Sequence, residues 1–107
     1  MLKWYDALYT DEKTEKNKKM IKWRLEHGAG SFRLYLVTLS TSPHMQLDIV
    51  AAAALKQRGL RKRLPMIVGV ASSYADAVDM VAAILQEVLE KTGGADIRGY
   101  LEKSADV

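Results

Sequence analysis

Two dense apolar strands, each running into a serine-rich turn that opens a helix, constrain this chain more than any other feature. The first unit is Phe32 to Leu39, then Ser40-Thr41-Ser42-Pro43-His44, then a helix expected from about Met45 to Gln57. The second is Pro65 to Ala71, then Ser72-Ser73-Tyr74, then a helix expected from about Ala75. Neither strand alternates for long between polar and apolar residues, the pattern of a strand buried on both faces. Strands joined through a helix pair in parallel by a right-handed crossover. The expected fold is therefore α/β, a small β-α-β-α unit with parallel central strands. An N-terminal helix should cover one side and at least one crossover helix the other.

The helix ends carry their own signals. Ser42 is placed to cap the first helix, with Pro43 at its first position, where a missing N–H costs nothing. Ser73 with Asp76 resembles a capping box at the start of the last helix, whose apolar stripe runs through Tyr74, Ala77, Val78, Val81, Ile84, Leu85 and Val88. Gly93-Gly94 stop it. Upstream, Trp4 to Tyr9 is an aromatic N-terminal arm, either a short helix or extended, and Thr10 or Asp11 caps the helix that follows. Ile21 to Glu26 alternates, so it also reads as a strand, but the lysine and glutamate run before it favours a helix ending at His27-Gly28. Residues 95–107 form a short C-terminal helix and tail, docking Ile97, Tyr100 and Leu101.

Two parallel strands alone leave two raw edges. The sheet needs a third strand, from residues 20–26, or a second copy of the chain. The helix expected after Met45 is apolar nearly all round and alanine-rich, which suits a dimer contact or a helix covered by the N-terminal arm.

Length and composition bound the rest. A chain of 107 residues, 49% hydrophobic and 27% charged, is read as one α/β domain spanning 1–107. With no cysteine and only His27 and His44, thiolate chemistry and a histidine-rich metal site find no support, and no cofactor is called for. No signal peptide is evident and no apolar run approaches the ~20 residues of a membrane span, so a cytoplasmic protein is expected. Residues 73–107 hold three basic and seven acidic groups, whereas the rest holds 13 basic and six acidic. Such polarity favours self-association, or an oriented protein partner, over blanket nucleic-acid binding.

In parallel sheets, ligands sit beyond the carboxyl ends of strands, where helix N-termini present free N–H groups. Both serine turns would fall there, so Ser40, Thr41, Ser42, His44, Ser72, Ser73 and Tyr74 are the candidate site for a phosphate or carboxylate. The alternative is that the serines are caps and nothing more. His44 is the one group near that rim with an ordinary pKa suited to acid–base work; no carboxylate lies in the adjacent turns, although Asp48 is one helical turn on, and Asp76 and Asp79 read as helix-start acids before paired general acid–base carboxylates. Lys56, Arg58, Arg61, Lys62 and Arg63 form a basic patch expected on the rim opposite the serine turns, read first as a solvated turn, then as a docking patch for an acidic protein, and last as a nucleic-acid contact. No Walker A or G-x-G-x-x-G sequence is present.

Trp4-Tyr5-Asp6 with Leu8-Tyr9, Tyr35 to Leu39, Ile67 to Ala71 with Tyr74 and Ala77, and Lys91 to Leu101 together resemble a family of short bacterial proteins of about this length. That family carries no assigned activity or catalytic residues, so the resemblance implies only a complete small protein. The functional expectation is a non-enzymatic accessory or regulatory protein that self-associates as a dimer. The alternative is a binding module for a small anion at the serine turns.

Overall fold

The computed structural model describes residues 2–27, 33–40, 46–57, 59–94, 96–97 and 99–101. The aromatic arm is a strand, β1 (Trp4–Thr10), as its tryptophan, tyrosines and threonine favour. Asp11 then opens α1 (Glu12–Lys16) with a full capping box: its side chain accepts from the Thr14 N–H while Thr14 Oγ1 accepts from the Asp11 N–H. After a break at Asn17 comes α2 (Lys18–His27), so residues 20–26 are helical despite their alternation. The lysine-rich turn before them sets that choice, with Ile21 and Leu25 one helical turn apart on the buried side.

The first apolar strand is β2 (Tyr35–Leu39). Beyond it the expected long helix is not formed. Leu47–Ala51 is a strand, β3, and the alanines make only a 3-10 helix over Ala52–Lys56. Pairing decides this: β3 matches β2 residue for residue from Tyr35↔Ala51 to Leu39↔Leu47, burying Leu47 and satisfying the outer edge of β2. Ile49 and Val50 are β-branched and suited to a strand, whereas the helix-favouring alanines begin only at Ala51. The Ser42 cap and Pro43 position lie outside the described residues. A single turn, α3 (Leu60–Arg63), follows Gly59, which adopts φ +88°, the left-handed region. Strand β4 (Ile67–Ala71) and helix α4 (Tyr74–Thr92) complete the order. Gly93 closes α4 at φ +71°, its N–H bonded to the Leu89 carbonyl.

The four strands form one mixed sheet in the order β1-β4-β2-β3. The central pair is antiparallel, with Tyr35 opposite Ala71 and Thr38 opposite Ile67, so the expected parallel pairing of these two strands is corrected. The cause is β3, which reverses the chain before β4 is reached. Strands β1, β3 and β4 therefore run one way and β2 the other, and among the described residues the only parallel neighbours are β1 and β4. The sheet is completed from within the chain by β1 and β3, not by residues 20–26.

Helices do cover both faces. On one side α4 buries Ala77, Met80, Ile84 and Val88 against Tyr5, Val37, Leu39, Leu47 and Val68, with Ile97 and Leu101 of the C-terminal turn in the same cluster. On the other, α2 and the 3-10 helix place Ile21, Leu25, Ala52 and Leu55 against Leu8, Leu36, Ile67 and Val70. Gly69 lets α4 approach: a Cβ there would collide with Met80 Sδ and sit 3.3 Å from the Tyr9 carbonyl. No helix of the described residues is long and apolar enough to cross a membrane.

Candidate functional site

The antiparallel centre separates Ser40 from the second serine turn. Leu39 donates to the Met66 carbonyl, so Ser40 lies at the end of the sheet where β4 begins, while Ser72 and Ser73 lie where β4 finishes. Ser40 is fully buried and its N–H bonds the Gln46 carbonyl. Thr41, Ser42 and His44 lie outside the described residues. The shared rim expected for Ser40 and Ser72 is thus replaced by two opposite ends.

At the β4 end, the parallel neighbours β1 and β4 bring Asp11 to the second serine turn. The Asp11 carboxylate accepts from the Ser72 N–H at 2.7 Å and its hydroxyl at 2.8 Å, and from the Thr14 N–H and hydroxyl, both at 2.8 Å. Ser72 Oγ also lies 3.0 Å from Asp76 Oδ2, and Ser73 Oγ caps α4 by accepting from the Asp76 N–H at 3.1 Å. Burial pushes the Asp11 carboxyl up, but the bonds from Ser72 and Thr14 outweigh it and hold the pKa down at about 2. Thr14 Oγ1 sits 3.0 Å from the buried Val70 carbonyl, tying α1 to β4. Two carboxylates therefore lie on Ser72, and Ser73 takes the first-turn amide of Asp76, so these groups are engaged within the chain. Tyr74 points outward, 58% exposed, and packs edge-on to Tyr35 with centroids 5.7 Å apart. Asp79 is exposed, so Asp76 and Asp79 do not share a buried site.

The basic segment leads directly into β4, on the same end of the sheet as Ser40 and away from Ser72. Lys56, Lys62 and Arg63 are exposed, and Arg63 Nε donates back to the Gly59 carbonyl at 3.2 Å. Arg58 and the side chain of Arg61 lie outside the described residues. Among the described residues no group of three His, Asp or Glu side chains is placed to hold a metal ion. An open cleft lies at the α1–α2 junction, lined by Glu15, Lys16, Asn17, Lys18, Lys19 and Met20, and it joins neither serine turn.

A second feature is apolar. At 100° per residue, Tyr74, Val78, Val81, Ala82, Leu85 and Leu89 occupy one flank of α4 with no charge among them. The fold buries the adjacent arc through Ala77, Ile84 and Val88, yet leaves Val78 44% and Leu89 40% exposed. Glu87, on the opposite flank, accepts from the Tyr9 hydroxyl of β1 at 2.5 Å. Since β1 and β3 are the two edges of the sheet and α4 also touches β3, the uncharged flank faces the β3 edge. Tyr9 itself is pushed well above its ordinary pKa by burial and by that bond to Glu87.

No protein-family model matches the chain, and neither a curated protein nor a solved structure is detectably similar to it.

Proposed function

We propose that the protein is a non-enzymatic accessory or regulatory protein of the bacterial cytoplasm that acts through protein contacts and pairs with a second copy of itself. The observation that carries the reading is the uncharged, half-exposed flank of α4 lying beside the β3 edge, which pairs with no further strand among the described residues. A natural sheet edge is blunted by charged side chains, proline or a bulge. Leu47-Asp48-Ile49-Val50-Ala51 carries a single charge, Asp48, has no lysine or proline, and pairs with β2 in unbroken register.

A two-fold axis perpendicular to the sheet satisfies both features at once. Antiparallel pairing of β3 with its copy extends the sheet across the axis and keeps both α4 helices on the same face. Their uncharged flanks then meet, as an isologous interface requires. The alternative of an anionic ligand is less favoured, because Ser40 and Ser72 lie at opposite ends of the sheet and two carboxylates lie on Ser72.

Mass in solution tests the reading. Light scattering behind size exclusion is expected to give twice the 12.0 kDa of the chain, and the double variant Val78→Glu, Leu89→Glu to give the chain mass with an unchanged circular dichroism spectrum. A strictly monomeric wild-type protein at high micromolar concentration overturns it.

A further inference from the structure

The sequence presents two basic runs far apart, and the fold puts them on one side. Residues 12–27 carry six lysines and arginines against three glutamates, and residues 52–63 carry five cations and no acid. Both segments insert their apolar residues into the same face of the sheet: Ile21 and Leu25 from α2, Ala52 and Leu55 from the 3-10 helix, Leu60 from α3. Lys22 and Arg24 of α2 and Lys56, Lys62 and Arg63 of the second segment therefore share the layer that covers this face. The opposite layer, α4, carries four acids and one lysine. The molecule is polarised across its sheet, and the basic side is not the side that bears the uncharged flank.

An exposed aromatic side chain stands within the first of these runs. Trp23 lies about 180° around α2 from the buried Ile21 and Leu25 and is 57% exposed. It is not loose. The His27 ring stacks on it at 4.2 Å between centroids and 21° between planes, and is pinned by Nδ1–H donating to the Trp23 carbonyl at 2.7 Å. On the residue before it, Lys22, Nζ sits 5.3 Å from the centre of the Trp4 ring. The one acid in α2, Glu26, accepts from Trp4 Nε1–H at 2.8 Å and from the Leu2 N–H, so its charge is turned toward β1.

We propose that this basic side binds single-stranded nucleic acid, with the cations tracking the phosphates and Trp23 stacking on a base. Charge complementarity names a polyanion, and the pre-ordered exposed ring narrows it to one with unpaired π-faces. A duplex hides its bases from such a ring. An anionic bilayer would call for a row of exposed apolar side chains, whereas the described part of α1 and α2 shows only Met20 and Trp23.

Fluorescence anisotropy of a labelled oligothymidine of about 15 nucleotides, a length that covers one such site, tests this. Affinity is expected to fall at least tenfold between about 50 and 200 mM salt. Trp23→Ala is expected to weaken binding by roughly 5- to 150-fold at unchanged melting temperature, and Trp23→Phe to keep most of it. Lys62→Glu, on the other segment and with Trp23 intact, should lower the salt slope by about one. Equal affinities for wild type and Trp23→Ala overturn the proposal, as does the absence of oligonucleotide binding. Association with phosphatidylserine vesicles in place of the oligonucleotide overturns it too.

Discussion

Asp11 is the residue on which most of the polar order depends. It caps α1, holds the Ser72 backbone and hydroxyl, and through Thr14 fixes α1 to the Val70 carbonyl. Asp11→Ala leaves the N–H groups of Ser72 and Thr14 without their acceptor and should cost about 1–3 kcal/mol in urea unfolding. The same carboxylate predicts an acid transition. Its folded pKa, about 2, lies below the ordinary 3.8, so its contribution is complete above roughly pH 4 and is lost as pH falls toward 2. Asp11→Asn should flatten that part of the stability profile. Gly69 is the other critical position. Gly69→Ala forces Met80 away from the sheet and crowds the Tyr9 carbonyl, for an expected loss of about 1–3 kcal/mol. Ser73 and Asp11 were both legible as helix caps, because a capping signal is local. The reach of Asp11 to Ser72 was not, since it exists only when β1 lies beside β4.

Among the elements, α2, β2, β4 and α4 were readable from the chain, α4 to within a residue at each end. Strand β3 was not. The alanine run from Ala51 to Ala54 signals helix, and it hides the Leu47-Asp48-Ile49-Val50 segment whose conformation is set by the edge of β2. That one reversal made the central pair antiparallel and moved Ser40 to the end of the sheet opposite Ser72. The β1 arm was ambiguous for a related reason: its role as an edge strand depends on β4, about 60 residues away. The structure of β3 predicts a selective variant. Ala51 has φ −65° and is exposed. Because the Ala52 N–H bonds the Leu34 carbonyl, strand alternation turns the Ala51 N–H outward. Ala51→Pro therefore fits the isolated fold, and should raise its stability by about 0.4–1 kcal/mol or leave it unchanged, while weakening self-association. Thermal unfolding of dilute protein and sedimentation at high concentration separate the two effects.

At the scale of the whole molecule, the layering was legible, since strands buried on both faces demand helices on both sides. The electrical asymmetry was partly legible. Composition divides the chain into a basic body and an acidic C-terminal third, but only the fold shows that the division runs across the sheet, with α4 on one face and the lysine- and arginine-rich helices on the other. The uncharged flank of α4 and the β3 edge, unpaired among the described residues, lie at one margin of this polarised body, and together they support pairing with a second copy. Amide hydrogen exchange along β3 tests that pairing most directly, because the strand carries its own control. The N–H groups of Asp48 and Val50 point toward β2, and those of Leu47, Ile49 and Ala51 point away from it. The account predicts that at high protein concentration both sets exchange slowly, and that dilution releases the outward set alone. Outward amides that exchange at unprotected rates at every concentration, while Asp48 and Val50 stay protected, would contradict it.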